Sequence, residues 1–115
     1  MAIITLTSDW GHKDHYLSVV KATILSRMPQ VTIVDVSHEI PRFDLNQAAF
    51  ILGNSWRAFP KGTVHIIGLL TDASIETPHT AAEYDGHYFI GADNGIFSLL
   101  FDHQPTNMVE IDILQ

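Results

Sequence analysis

Apolar and polar positions along this chain switch between two spacings, one suited to strands and one to helices. Residues 2 to 7 form a short apolar run that reads as a buried strand. Residues 14 to 28 then take helical spacing, with Leu17, Val20, Ile24 and Met28 on one stripe, Asp14 placed to cap the first turn and Pro29 to help end the helix. A second strand is predicted over 31 to 36, Val-Thr-Ile-Val-Asp-Val, followed by a polar loop through Phe43. Asp44 with Gln47 three residues later resembles a capping box, and Leu45, Ala48, Ala49, Leu52, Trp56 and Phe59 recur at helical spacing as core positions of a second helix. Pro60-Lys61-Gly62 turns the chain into a third strand, 63 to 70, whose continuous apolar character suits a strand covered on both faces. Residues 80 to 84 and 87 to 91 flank Asp85-Gly86, a tight-hairpin signal; a short helix over 95 to 102 and a last strand over 107 to 114 complete the order.

Strand, helix, strand, helix, strand implies a three-layer α/β/α domain with a largely parallel sheet, a hairpin and right-handed crossovers. Ligands bind such sheets beyond the carboxyl ends of the strands. Three polar segments therefore converge: Ser8 to His15, Ser37 to Phe43, and Thr71 to His79. The first two are rich in chemistry, with Ser8-Asp9-Trp10-Gly11-His12-Lys13-Asp14-His15 closing strand one and Asp35-Val36-Ser37-His38-Glu39 closing strand two.

Size changes this picture little: 115 residues suit a single α/β domain that buries about two-thirds of its unfolded surface. No apolar run approaches the ~18 to 20 residues that span a bilayer, and residues 2 to 6 lack the basic leader of a signal peptide. The absence of cysteine excludes thiolate and disulfide chemistry and fits the cytoplasm. Charge is more informative. All six Lys and Arg lie at or before Lys61, while residues 62 to 115 carry eight Asp or Glu. Nucleic acid and anionic membrane are poor partners for that half, because phosphate binding needs cations to displace counterions. Neither a Gly-x-Gly-x-x-Gly fingerprint nor a P-loop is present, which removes positive support for a nicotinamide cofactor or a nucleoside triphosphate.

Several polar residues have structural readings of equal interest. His65, within a strand, is expected to be a satisfied core residue, and His87 and His103 surface groups. His38 is expected to be structural yet near the ligand, bonding Asp9 or backbone. Asp93-Asn94-Gly95 favours a turn, since Asn-Gly readily adopts positive φ. A metal-dependent hydrolase using His12, Asp14, His15, His38 and Asp93 is a rival reading, but their spacing is unspecific and Asp14 already has a capping role.

Five ordered blocks resemble the S-adenosylmethionine hydroxide adenosyltransferases, relatives of the fluorinating and chlorinating enzymes. They are Ile4-Thr5-Leu6-Thr7-Ser8-Asp9-Trp10-Gly11 with Asp14 and Tyr16, Ile33-Val34-Asp35-Val36-Ser37-His38-Glu39-Ile40-Pro41 with Phe43-Asp44, Ala48-Ala49-Phe50, Phe59-Pro60-Lys61-Gly62-Thr63-Val64-His65, and Gly91-Ala92-Asp93-Asn94-Gly95. The resemblance implies an N-terminal α/β domain, here without the family's β-rich C-terminal domain, and a homotrimer when full length. It implies an adenosyl ligand and no further cofactor or metal. It makes Asp9, Trp10, Asp14 and Phe43 the substrate-binding candidates, with Asp9 on the ribose hydroxyls and Phe43 against the nucleoside. The implied reaction is attack of water-derived hydroxide at ribose C5′, releasing adenosine and methionine. The sulfonium leaves as a neutral thioether, so the protein's task is to hold water in line at roughly 3 to 3.5 Å and assist its deprotonation.

One block departs from the family pattern. Relatives follow the third strand with Val-Asp-Pro-Gly-Val-Gly and an arginine pair, whereas an ungapped count puts Leu70 at that aspartate, and no Arg follows Arg57. Asp72 and His79 become the catalytic candidates. A non-catalytic nucleoside-binding domain stands as the alternative.

Overall fold

The computed structural model describes residues 2–13, 15–42, 44–69, 79–92 and 95–111. Its elements run β1 (Ile3–Ser8), α1 (Tyr16–Arg27), β2 (Thr32–Ser37), α2 (Leu45–Gly53), a 3₁₀ turn (Trp56–Ala58), β3 (Val64–Gly68), β4 (His79–Tyr84), β5 (His87–Ala92), α3 (Ile96–Leu100) and β6 (Asn107–Ile111). The strands form one sheet in the order β2-β1-β3-β5-β4-β6. β1 pairs in parallel with β2 and β3, and β3 with β5, while β4 runs antiparallel to both β5 and β6. The expected three-layer α/β/α architecture is the observed one.

Two apolar clusters sandwich the sheet. On one face α1 brings Leu17 and Ile24 onto Ile4, Leu6 and Ile33. On the other, α2, the 3₁₀ turn and α3 bring Ala48, Leu52, Trp56, Ile96, Phe97 and Leu100 onto Ile67, Ala82, Tyr84 and Phe89. Alternation along each strand sends successive side chains to opposite layers. The layers are unequal, because α1 packs only over the β2–β1–β3 part. Tyr88 and Val109, farther across that face, are 43% and 61% exposed. The third strand is accordingly covered on one face only in part, and buried positions alternate with half-buried ones along it.

The Asp85-Gly86 signal is realised as a two-residue turn with positive φ at both positions, 50° and 80°. That backbone matches the right-handed twist of the flanking strands. Helix boundaries differ more from expectation. α1 starts at Tyr16 after His15, with no side-chain cap, and Met28, placed on the buried stripe by spacing, is 44% exposed as the C-cap. Asp44 does cap α2, accepting a hydrogen bond from the Gln47 N–H at 2.9 Å. The α-helix nevertheless stops at Gly53 rather than running on toward Phe59. Asn54 Nδ2 donates to the Phe50 carbonyl and Ser55 Oγ to the Ile51 carbonyl, both at 2.6 Å, so polar side chains take up the carbonyl acceptors of the last turn. Trp56 still reaches the core, from the 3₁₀ turn.

Candidate functional site

β1, β2, β3 and β5 all point the same way, so their carboxyl ends form one edge of the sheet, and the loops leaving them are tied together there. The Gly11 N–H donates to the His38 carbonyl at 2.8 Å and the Ile40 N–H to the Ser8 carbonyl at 3.4 Å. The Asp9 N–H donates to the Gly68 carbonyl at 3.4 Å. The segment carrying Asp9 and Trp10 is thus held between the exits of β2 and β3.

Trp10 lies against Gly68. A Cβ at that glycine would stand 2.1 Å from the Trp10 ring, so only a residue without a side chain lets the indole settle over the end of β3. The indole also packs against the aliphatic cluster beneath α1, stacks on His38 at 5.8 Å and meets Tyr16 edge-on at 5.1 Å. His12 packs edge-on against His38 and shares a 2.9 Å hydrogen bond with Glu39, an exposed pair that contributes little to stability.

Beneath Trp10 runs a chain of polar side chains. The Trp10 N–H donates to Ser8 Oγ at 3.3 Å, and Ser8 Oγ is hydrogen-bonded to His38 Nδ1. His38 Nε2 lies 2.7 Å from Asp35 Oδ1, and Lys21 Nζ donates to Asp35 Oδ2 at 2.6 Å. Ser8 is 0% and His38 1% exposed. Burial pushes the Asp35 carboxyl up, but hydrogen bonds from Lys21 and His38 and their charges more than offset this, leaving it below its ordinary value. The expectation that the His38 ring would bond Asp9 or backbone is corrected: its two nitrogens go to Ser8 and Asp35. Ser8 and Asp35 were not singled out for this role from the sequence. The available signal was a serine ending one parallel strand beside an acid three residues before a histidine on the next.

His79 opens β4 opposite Ala92, the last residue of β5. Because β4 is antiparallel, its first residue reaches the same sheet edge as the ends of β1 and β3. Two strands separate β4 from β1, so His79 is about 14 Å across the sheet from the Ser8–Asp9 exit at ordinary strand spacing. Asp14, Phe43, Leu70, Asp72, Asp93 and Asn94 lie outside the described residues.

A second histidine cluster sits at the opposite, amino-terminal end of β3 and β5. His65 Nδ1 is 2.7 Å from Thr5 Oγ1 and its Nε2 is 3.1 Å from His87 Nδ1. The rings stack at 5.3 Å, beneath Trp56. His65 is the satisfied core residue its strand position implied. His87 is not the surface group expected: it is 4% exposed, because Trp56 covers it and the Gly62 N–H bonds the Gly86 carbonyl to close the adjoining turn. Burial, and secondarily the neighbouring His87, lowers His65 from 6.5 to about 4; burial foremost also lowers His87.

Among the described residues no three His, Asp or Glu side chains gather to hold a metal ion, and no helix is long and apolar enough to cross a membrane.

Comparison with known proteins agrees with the sheet and loops just described. A (R)-S-adenosyl-L-methionine hydrolase of Thermus thermophilus is 34% identical over 106 residues, covering 91% of this chain and 41% of the relative. A protein of the same name from Methanocaldococcus jannaschii is 33% identical over 101 residues, covering 84% of this chain and 38% of the relative. A fluorinase of an Actinoplanes species is 40% identical over 62 residues, 54% of this chain and 21% of its own length. The chain therefore spans about two-fifths of the length of the hydrolases it matches. An uncharacterized conserved protein from Thermotoga maritima, known from a crystal structure, superposes with a TM-score of 0.87 at 27% identity, over 95% of this chain and 42% of that one. The family model described as the SAM hydroxide adenosyltransferase N-terminal domain matches residues 4–115, and the chain belongs to that family.

Proposed function

We propose that this domain binds the adenosyl part of S-adenosylmethionine at the carboxyl edge of its sheet, and that the protein carrying it hydrolyses that substrate to adenosine and methionine. The observation that carries the reading is the anchored Ser8–Gly11 loop, tied to the exits of β2 and β3 in a chain one-third identical to named S-adenosylmethionine hydrolases. In this reading the Asp9 carboxylate accepts hydrogen bonds from the two ribose hydroxyls, as an ionised acid with several lone pairs can. Trp10, Asp14 and Phe43 complete the binding surface.

Hydroxide derived from water attacks C5′ while the sulfonium departs as a neutral thioether, so no acid is needed at the leaving group. Asp72 and His79 are the candidates for holding and deprotonating that water, a contribution of about 10²- to 10⁴-fold. The position of His79 at the same sheet edge as Asp9 favours its part in this. The homotrimer and the family's second domain belong to the same proposal. A binder without turnover is the second reading, favoured by Leu70 at the family's aspartate position and by the lack of any Arg beyond Arg57.

The test is incubation of the full-length protein with S-adenosylmethionine, with chromatography for adenosine and methionine and a parallel thermal-shift measurement. Equal release of both products supports the hydrolase. A raised melting temperature without products supports the binder. Asp9→Ala is expected to abolish the shift, and a protein that neither shifts nor turns over sinks the adenosyl reading.

A further inference from the structure

We infer that Lys21, Asp35, His38 and Ser8 form a positioning relay that fixes the Asp9–Trp10 segment in its binding conformation. This rests on the adenosyl reading above and adds residues that do not themselves touch the ligand. Hydrogen-bond chemistry gives the chain one direction. A carboxylate only accepts, and Asp35 Oδ1 faces His38 Nε2 at 2.7 Å, so Nε2 carries a proton. In the neutral imidazole Nδ1 is then an acceptor, and the Ser8 hydroxyl donates to it. With its proton spent, Ser8 Oγ can accept the backbone N–H of Trp10. Lys21, donating to Asp35 Oδ2 from the middle of α1, anchors the outer end.

The same three residue types act as a nucleophilic triad elsewhere, but not here. Ser8 is fully buried, its proton and a lone pair are committed, and it meets Nδ1 of the histidine while Nε2 meets the acid, the reverse of the hydrolase arrangement. What the relay does reach is the backbone between Ser8 and Trp10, which carries Asp9. The His38 ring also forms the shelf on which the Trp10 indole stacks. Losing the Ser8–His38 bond frees the Trp10 N–H and tilts that shelf together, so the ribose-binding carboxylate loses its fixed approach. A ligand must then order the loop as it binds.

The relay makes the two His38 nitrogens unequal, and that asymmetry is testable. Asn at position 38 places a carbonyl oxygen near Nδ1 and keeps the Ser8 bond; Gln reaches toward Nε2 and keeps only the Asp35 bond. Binding of S-adenosylmethionine is measured by calorimetry for the full-length wild type, S8A, H38N, H38Q and K21M, with the melting temperature of each. Expected are about tenfold weaker binding for S8A and H38Q and about threefold for K21M at the solvent end. H38N, which keeps the Ser8 bond but loses the Asp35 link and the ring under Trp10, should also bind about threefold more weakly, less affected than H38Q. A merely structural His38 would make H38N and H38Q lose affinity equally and in step with melting temperature, and that pattern overturns the relay. Wild-type affinity in S8A overturns it too; if S8A does not fold, unchanged affinity in K21M does so. The imidazole ¹⁵N spectrum of the wild type gives an independent readout: a His38 protonated at Nε2 supports the chain, and one protonated only at Nδ1 overturns it. Wild-type binding lost in D9A but indifferent to the relay variants refutes this inference alone, whereas no wild-type binding removes the adenosyl reading beneath it.

Discussion

Mild acid should loosen this domain through its buried histidine pair. His65 is 0% exposed and lies between Thr5, His87 and the rings of Trp56 and Phe89, where a charged imidazolium has lost its water. Its folded-state value of about 4 stands below the 6.5 of the unfolded chain. Between those values the unfolded state binds more protons, so stability rises with pH across the window. The contribution is complete above 6.5 and disappears as pH falls toward about 4. At roughly 1.4 kcal/mol for each tenfold change in proton affinity, the whole window corresponds to about 3 kcal/mol, and the part between pH 7 and pH 5 to about 2 kcal/mol. His87, also lowered, acts in the same direction. Urea unfolding at steps from pH 7.5 to 4.5, for wild type and His65→Gln, isolates the effect because most other groups titrate alike in both proteins. The wild type should lose about 2 kcal/mol more than the variant between pH 7 and pH 5. Parallel stability curves for the two proteins would refute the argument.

Two further perturbations read other parts of the fold. Gly68→Ala places a methyl group inside the Trp10 ring, and should cost about 1–3 kcal/mol and move the tryptophan emission as the indole is displaced, which fluorescence-detected unfolding would measure. Thr80 is 2% exposed and its hydroxyl has no hydrogen-bond partner among the described residues, so Thr80→Val should leave the fold intact and raise stability by about 1 kcal/mol, checked by denaturant midpoint.

Local signals carried much of the architecture. Asp85-Gly86 specified its turn because few residues accept positive φ in succession, and Asp44 announced the start of α2 because its side chain can reach the Gln47 N–H. The same locality explains the errors. Spacing alone put Met28 on a buried stripe, but burial depends on the partner surface, and α1 faces only part of the sheet. Periodicity ran the second helix through Trp56, whereas Asn54 and Ser55 turned their side chains onto the carbonyls of its last turn.

The sequence by itself determined the order of the elements, the mostly parallel sheet, the edge at which the polar loops leave its parallel strands and the family to which the motifs belong. Each of these follows from contacts between near neighbours or from residue types in order. Only the tertiary structure decided that His87 is buried against His65, that Trp10 needs Gly68 beneath it, and that Ser8, His38, Asp35 and Lys21 join in one chain. Those groups come from strands, from the loops that leave them and from α1; the Ser8–His38 pair is separated by 30 residues and the His65–His87 pair by 22. Strand register and helix placement bring them within hydrogen-bonding distance, and no local pattern of residues encodes a register.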